Sequence, residues 1–141
     1  MKCKELQIFD WVQDKNGIQW QITGVGDDYA YATFEGNEGD PWEFDDKDDQ
    51  PEPIEITEDI LKQNKWEVQG YTLIPSEHYY VKDDGGNHLL WSHGTLSIWL
   101  ACGEANDGVF SDVVLPCKYV HQFQHALRLC GLDELADKFK V

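Results

Sequence analysis

Hydrophobic and polar residues alternate through much of the first 56 positions of the chain. In "IQWQIT", Ile18, Trp20 and Ile22 share one side and Gln19, Gln21 and Thr23 the other, the period-two pattern of a half-buried strand. The preceding "DKNG", residues 14–17, holds an Asn-Gly pair suited to the positive φ angles of a tight hairpin. "GDD" at 26–28 predicts the next turn and "YAYATF" a third strand, with a bulge at Gly24, where the alternation slips. Further on, Trp42 and Phe44 alternate with Glu43 and Asp45, and Ile54 and Ile56 flank Glu55. Two more short strands follow from this, apolar side inward and carboxylates outward, joined through the proline-containing "DDKDDQPEP". Four or five short strands with tight turns predict a small SH3-like β-barrel over residues 1–56.

The pattern then changes. Thr57 reads as a helix N-cap, with Glu58 and Asp59 in the first turn, Ile60 and Leu61 facing a core, and Asn64 as a left-handed stop. "YTLI", "HYYVK", "HLLWS", "LSIWLA" and "GVFSDVVL" predict an antiparallel sheet, with a hairpin turn at "DDGGN" (83–87) and Pro116 at its end. In "YVHQFQHALRLCG", Val120, Phe123, Leu127 and Cys130 recur at helical spacing before a capping Gly131. "LDELADKFKV" adds a short helix with Leu132, Leu135, Ala136 and Phe139 on one face. The expected architecture is α+β: the barrel at 1–56, then a part at 57–141 with a short helix, an antiparallel sheet and a C-terminal helix, the two sharing a core.

Charge sharpens this picture. The 141 residues carry 11 Lys and Arg against 27 Asp and Glu, net −16. Residues 35–59 hold 12 of those acids against Lys47, so one segment carries most of the excess. Such a chain repels phosphate backbones and anionic membranes, and any charge-steered partner is a basic protein. The start "MKCKELQIFDWV" has no signal-peptide run, no stretch reaches membrane-span length, and the four cysteines form no C-x-x-C. Reduced thiols and a cytoplasmic location are the expectation.

"KELQIFDWVQD", "FEGNEGD" through "PIEITEDIL", and "KYVHQFQHALRLCG" occur in the same order over most of the chain. Together they resemble a family of small acidic proteins from Bacteroides-type gut bacteria and their phages and mobile elements. The resemblance implies a bacterial intracellular protein of mobile-element type, with no assigned reaction, cofactor or residue roles. It also leads one to expect a glycine-containing, "IGN"-like turn where this chain has Phe9 and Asp10.

Three candidate sites emerge. The acidic face of Glu35, Glu38, Asp40, Glu43, Asp45, Asp46, Asp48, Asp49 and Glu55 reads first as a solvated surface, then as one that meets a basic partner or imitates nucleic acid, and last as a loose calcium or magnesium site around Glu35, Glu38 and Asp40. As an EF-hand it fails, because counting from Asp46 puts Pro51 where glycine belongs. His121, Gln124, His125 and Arg128 form a polar stripe along the C-terminal helix, read as its exposed side. A protein contact is the next reading of that stripe, and zinc the last, since "HQFQH" lacks the glutamate of a zinc-protease helix. His78, His88 and His93 lie among Tyr79, Tyr80, Trp91 and Trp99, read mainly as core. No nucleophile, metal set or phosphate loop converges, so no catalytic residue, metal or cofactor is assigned. The sequence favours a non-catalytic binding or adaptor protein. A DNA-mimic inhibitor of a nucleic-acid enzyme is the alternative, and a metal-dependent enzyme comes after it.

Overall fold

The computed structural model describes residues 1–34, 39–69, 78–82, 88–92, 94–101 and 110–141. The expected strand at 71–74, the turn at 83–87, Cys102, His93, Glu35 and Glu38 lie outside the described residues. The fold is mixed α+β, and the described residues form two antiparallel sheets of five strands. The chain divides into two compact units: residues Met1–Glu55 with Tyr119–Val141, and residues Ile56–Lys118. The C-terminal helix thus groups with the first sheet, whereas the sequence placed it with the second.

In the first unit a 3-10 turn at Cys3–Glu5 leads to β1 (Trp11–Gln13), β2 (Gln19–Val25), β3 (Tyr29–Thr33), β4 (Trp42–Asp45) and β5 (Glu52–Pro53). These form a curled half-barrel in the order β4-β3-β2-β1-β5. Its inner side follows the predicted alternation: Val12, Trp20, Ile22, Ala30, Ala32 and Phe44 are buried, together with Cys3 and Leu6. The β1–β2 hairpin is closed by Asp14, whose Oδ1 accepts the Asn16 and Ile18 amides at 2.8 and 3.0 Å. Gly17, not Asn16, takes the positive φ of 77°. That geometry puts Ile18 in the turn and half exposed, outside the buried stripe it was expected to join. The register between β2 and β3 slips between Ile22 and Gly24, at the expected bulge. Ile54 and Ile56 are buried as expected, but the short strand lies at Glu52–Pro53, and Glu55 bridges Tyr119 instead. Val120 N donates to Ile54 O at 2.9 Å, so the chain leaves and re-enters this unit at adjacent points.

The unit is completed by α2 (Val120–Leu129) and α3 (Asp133–Asp137). The turn between them passes through Gly131 at φ 78°, the expected C-terminal cap. Trp11 Nε1 donates to Phe139 O at 2.6 Å, fixing the chain end beside β1.

The second unit opens with α1 (Glu58–Gln63), capped as predicted by Thr57 Oγ1, which accepts the Ile60 amide at 3.2 Å. Asn64 keeps an ordinary φ of −90°, and the left-handed residue is Lys65, one position later than expected. β6 (Glu67–Gln69), β7 (His78–Lys82), β8 (His88–Ser92), β9 (Thr95–Ala101) and β10 (Phe110–Pro116) pair in sequence order as an antiparallel meander. Trp91 Nε1 donates to Cys117 O at 2.7 Å, and Leu96 and Cys117 are buried.

Cys3, Cys117 and Cys130 are free thiols. Burial pushes both the Cys3 and Cys117 thiols up to about 12, helped at Cys3 by the Asp46 carboxylate. Cys130 is only partly covered. Timed alkylation with iodoacetamide, read by mass spectrometry, should therefore label Cys130 well before Cys3 or Cys117.

Candidate functional site

The acidic stretch is more ordered than a charged surface needs to be. Asp45 Oδ1 accepts the amides of Lys47 and Asp48 at 2.7 and 2.6 Å, and Asp45 N donates to Asp49 O at 3.1 Å. These bonds hold the Asp45 carboxyl below the usual range by favouring its charged form. Asp46 Oδ1 accepts the Cys3 amide at 2.8 Å, and Lys2 stands 3.8 Å from its other oxygen. Asp49 Oδ2 accepts Trp42 Nε1 at 3.0 Å. Three of the nine expected partner-binding acids thus spend oxygens inside their own unit. Asp40, Glu43, Asp48 and Glu55 are exposed, as is Glu52.

Aromatic rings accompany these acids. Trp42 was expected to point inward; it stacks on buried Trp20 with centroids 5.5 Å apart but leaves 43% of its surface exposed. Phe34 meets the same Trp20 edge-on at 5.0 Å. On the outer side of the sheet, Tyr31 pairs in register with Glu43 and Tyr29 with Asp45. Tyr29 and Tyr31 are 41% and 39% exposed, with ring centroids 5.4 Å apart. The charge of Glu43 opposite it raises the Tyr31 pKa. Near β1, Trp11 bonds α2 through Gln124 and the segment after α3 through Phe139 O, whereas β3 and β4 leave Tyr29, Tyr31 and Glu43 open.

The polar stripe of α2 is the largest correction. Gln124 is fully buried and His121 nearly so, and the Arg128 and His125 side chains are 15% and 24% exposed. Leu129, by contrast, is 83% exposed. The stripe meets the segment before β1, where Phe9 takes φ 72°, a left-handed turn at the place where the resemblance led one to expect a glycine. Gln124 ties this turn to α3: Oε1 accepts Trp11 N at 3.0 Å, and Nε2 donates to Phe9 O at 2.8 Å, which Gln21 Nε2 also reaches at 3.3 Å, and to Ala136 O at 2.9 Å. Asp10 is fully buried. Its Oδ1 accepts Arg128 Nη1 at 2.8 Å, and its Oδ2 lies 2.6 Å from His125 Nε2 and accepts Gln7 N at 2.8 Å. Arg128 also donates to Ile8 O and Gln7 Oε1. This cluster is a structural clamp between the ends of the unit.

His121 completes the clamp, its Nδ1 buried without a hydrogen-bond partner. Burial pulls its pKa down to about 4; Asp10 and Glu5 oppose this, while His125 and the terminal amine add to it. The unfolded chain takes up this proton near pH 6.5 and the folded chain only near pH 4, so stability falls as pH drops across that window. The loss should reach up to about 3 kcal/mol by pH 4, at ~1.4 kcal/mol per pH unit. Asp14 acts lower: burial favours its neutral form, but the hydrogen bonds from Ile18, Trp20 and Asn16 outweigh that and lower its pKa below 3.8. Its contribution is lost only beneath the ordinary carboxylate range. Urea unfolding of wild type and His121→Gln from pH 7 to 4 should show a slope in the first and a flatter profile in the second.

Among the described residues, no three His, Cys, Asp or Glu side chains are arranged to hold a metal ion. No helix among them is long and apolar enough to cross a membrane. An open depression of about 440 Å³ by Met1 and Pro51 mixes Lys15 and Lys47 with Asp48, Asp49 and Glu52. It holds no nucleophile with a base beside it. Asp10, Tyr29 and Tyr31 were not singled out from the sequence. The Gly24-x-Gly26 and Tyr29-x-Tyr31 spacings around one hairpin were the available signal for the tyrosines, and Asp10 had none. No family model, curated protein or solved structure matches the chain.

Proposed function

We propose that the chain is a non-catalytic intracellular binding protein of mobile-element type. In this reading its first unit is an SH3-like barrel, and the acidic side of that barrel meets a basic protein partner. The barrel assignment is supported by the meander β1 to β4 with β5 returning to pair with β1. The observation that carries the binding reading is the turn after β4. Asp45, Asp46 and Asp49 fold the segment into a fixed shape, while Glu43, Asp48 and Glu52 stay exposed upon it. Carboxylates held on a rigid surface steer a cationic partner and lose little side-chain freedom in doing so.

The test is affinity capture from a bacterial lysate on immobilised wild type and on a Glu43→Gln, Asp48→Asn, Glu52→Gln variant, each at low and high salt. Basic proteins should be enriched on wild type at low salt only, and lost from the variant. Equal capture by both proteins contradicts the reading. Release of a captured nucleic-acid enzyme by added duplex DNA would redirect it to DNA mimicry.

A further inference from the structure

Two glycines explain the attitude of the exposed tyrosines. Gly24, at the bulge of β2, pairs in register with Tyr31, and a Cβ there would lie 3.5 Å from the Tyr31 ring. At Gly26, beyond the end of β2, a Cβ would collide with the Tyr29 ring. The Tyr29 ring therefore occupies the space a side chain at Gly26 would take, and the Tyr31 ring packs beside Gly24, the two rings inclined at 63°. Each keeps about two-fifths of its surface open. Beside them the two opposed carboxylates differ. Asp45 Oδ1 is committed to the Lys47 and Asp48 amides, whereas Glu43 is exposed and stands opposite Tyr31 in register.

An exposed tyrosine ring with a second ring edge-on beside it and a carboxylate opposite suits a planar cation. A guanidinium stacks on a phenol ring while its N–H fork pairs with a carboxylate; an ammonium, compact and strongly hydrated, does this less well. The net charge of −16, concentrated in the segment containing β4, favours such an occupant further. We propose that Tyr31 and Glu43, with Tyr29 alongside, form a seat for an arginine side chain of the basic partner. This rests on the reading of the acidic side as a protein-binding surface.

The test uses acetylated, amidated tetra-arginine and tetra-lysine as probes, titrated calorimetrically into the full chain at low salt. Wild type should bind tetra-arginine about fivefold more tightly than tetra-lysine, the size a stacked cation provides at an exposed site. Tyr31→Leu, which keeps an apolar cover over Gly24, should abolish that preference, and Tyr31→Phe should keep it. Glu43→Gln should weaken tetra-arginine more than tetra-lysine, and it answers the question if Tyr31→Leu fails to fold. Equal, salt-sensitive binding of both peptides, or an arginine preference that survives Tyr31→Leu or Glu43→Gln, overturns the arginine seat and leaves the acidic-surface reading standing. Binding of neither peptide overturns both.

Discussion

Asp10→Ala should destabilise the first unit by about 3–5 kcal/mol, the cost of breaking a buried ion pair from one side. The carboxylate is fully buried and accepts Arg128 and the Gln7 amide, with His125 Nε2 2.6 Å away. Without it, the Arg128 guanidinium, itself 15% exposed, the His125 ring and the Gln7 amide lose their shared partner. Chemical denaturation would show a lower midpoint with the slope little changed. Arg128→Met should be costly for the converse reason, because it strands a buried carboxylate. The double variant Asp10→Leu, Arg128→Met should recover part of the loss, since it leaves neither charge alone. If the single and double variants simply add, the clamp is not a coupled pair.

Gln124→Leu is the second large effect. The substitution preserves volume and raises hydrophobicity, and in an ordinary helix core it would be harmless or helpful. Here it removes three hydrogen bonds to the backbone of Phe9, Trp11 and Ala136. Phe9 O keeps Gln21 Nε2 and Ala136 O keeps the Phe139 amide, so the main cost is the Trp11 amide left without its partner, ~1–3 kcal/mol. Native-state hydrogen exchange should locate the damage at the Phe9 turn and the start of β1, with the β2–β3 ladder protected as before. An unchanged stability would mean that the turn finds other partners.

These two residues also show where the sequence was legible. The stripe His121, Gln124, His125, Arg128 was visible as a pattern, because helical spacing is local. Its burial was not, because the groups that make a buried glutamine favourable lie 113 and 115 residues away. An amphipathic pattern assigns polar residues to water by default, and here Leu129 took the water instead. The core stripe Trp20, Ile22, Ala30, Ala32 and Phe44 was legible because period two and hairpin turns are also local. The Thr57 cap was readable for the same reason. The strand at Trp42–Asp45 and the turn after it were legible, whereas the strand expected at Ile54–Ile56 lies at Glu52–Pro53. That Asp45, Asp46 and Asp49 would spend their oxygens inward could not be seen in a string of like residues, where only position in the turn distinguishes one aspartate from the next. The grouping of α2 with the first sheet depends on the chain returning at Tyr119 beside Glu55, a pairing between distant positions that no local pattern encodes.

The functional reading places the working surface on β3, β4 and the turn that follows, and assigns α2 and α3 a structural role. The measurement that tests this most directly is the 1H–15N spectrum of the full chain titrated with tetra-arginine at low salt. The account predicts saturable shifts confined to the amides around Gly24, Gly26, Tyr29, Tyr31, Glu43 and Asp48, diminishing as salt is added. Shifts centred on α2, α3 or the second unit, or none that saturate, would contradict it.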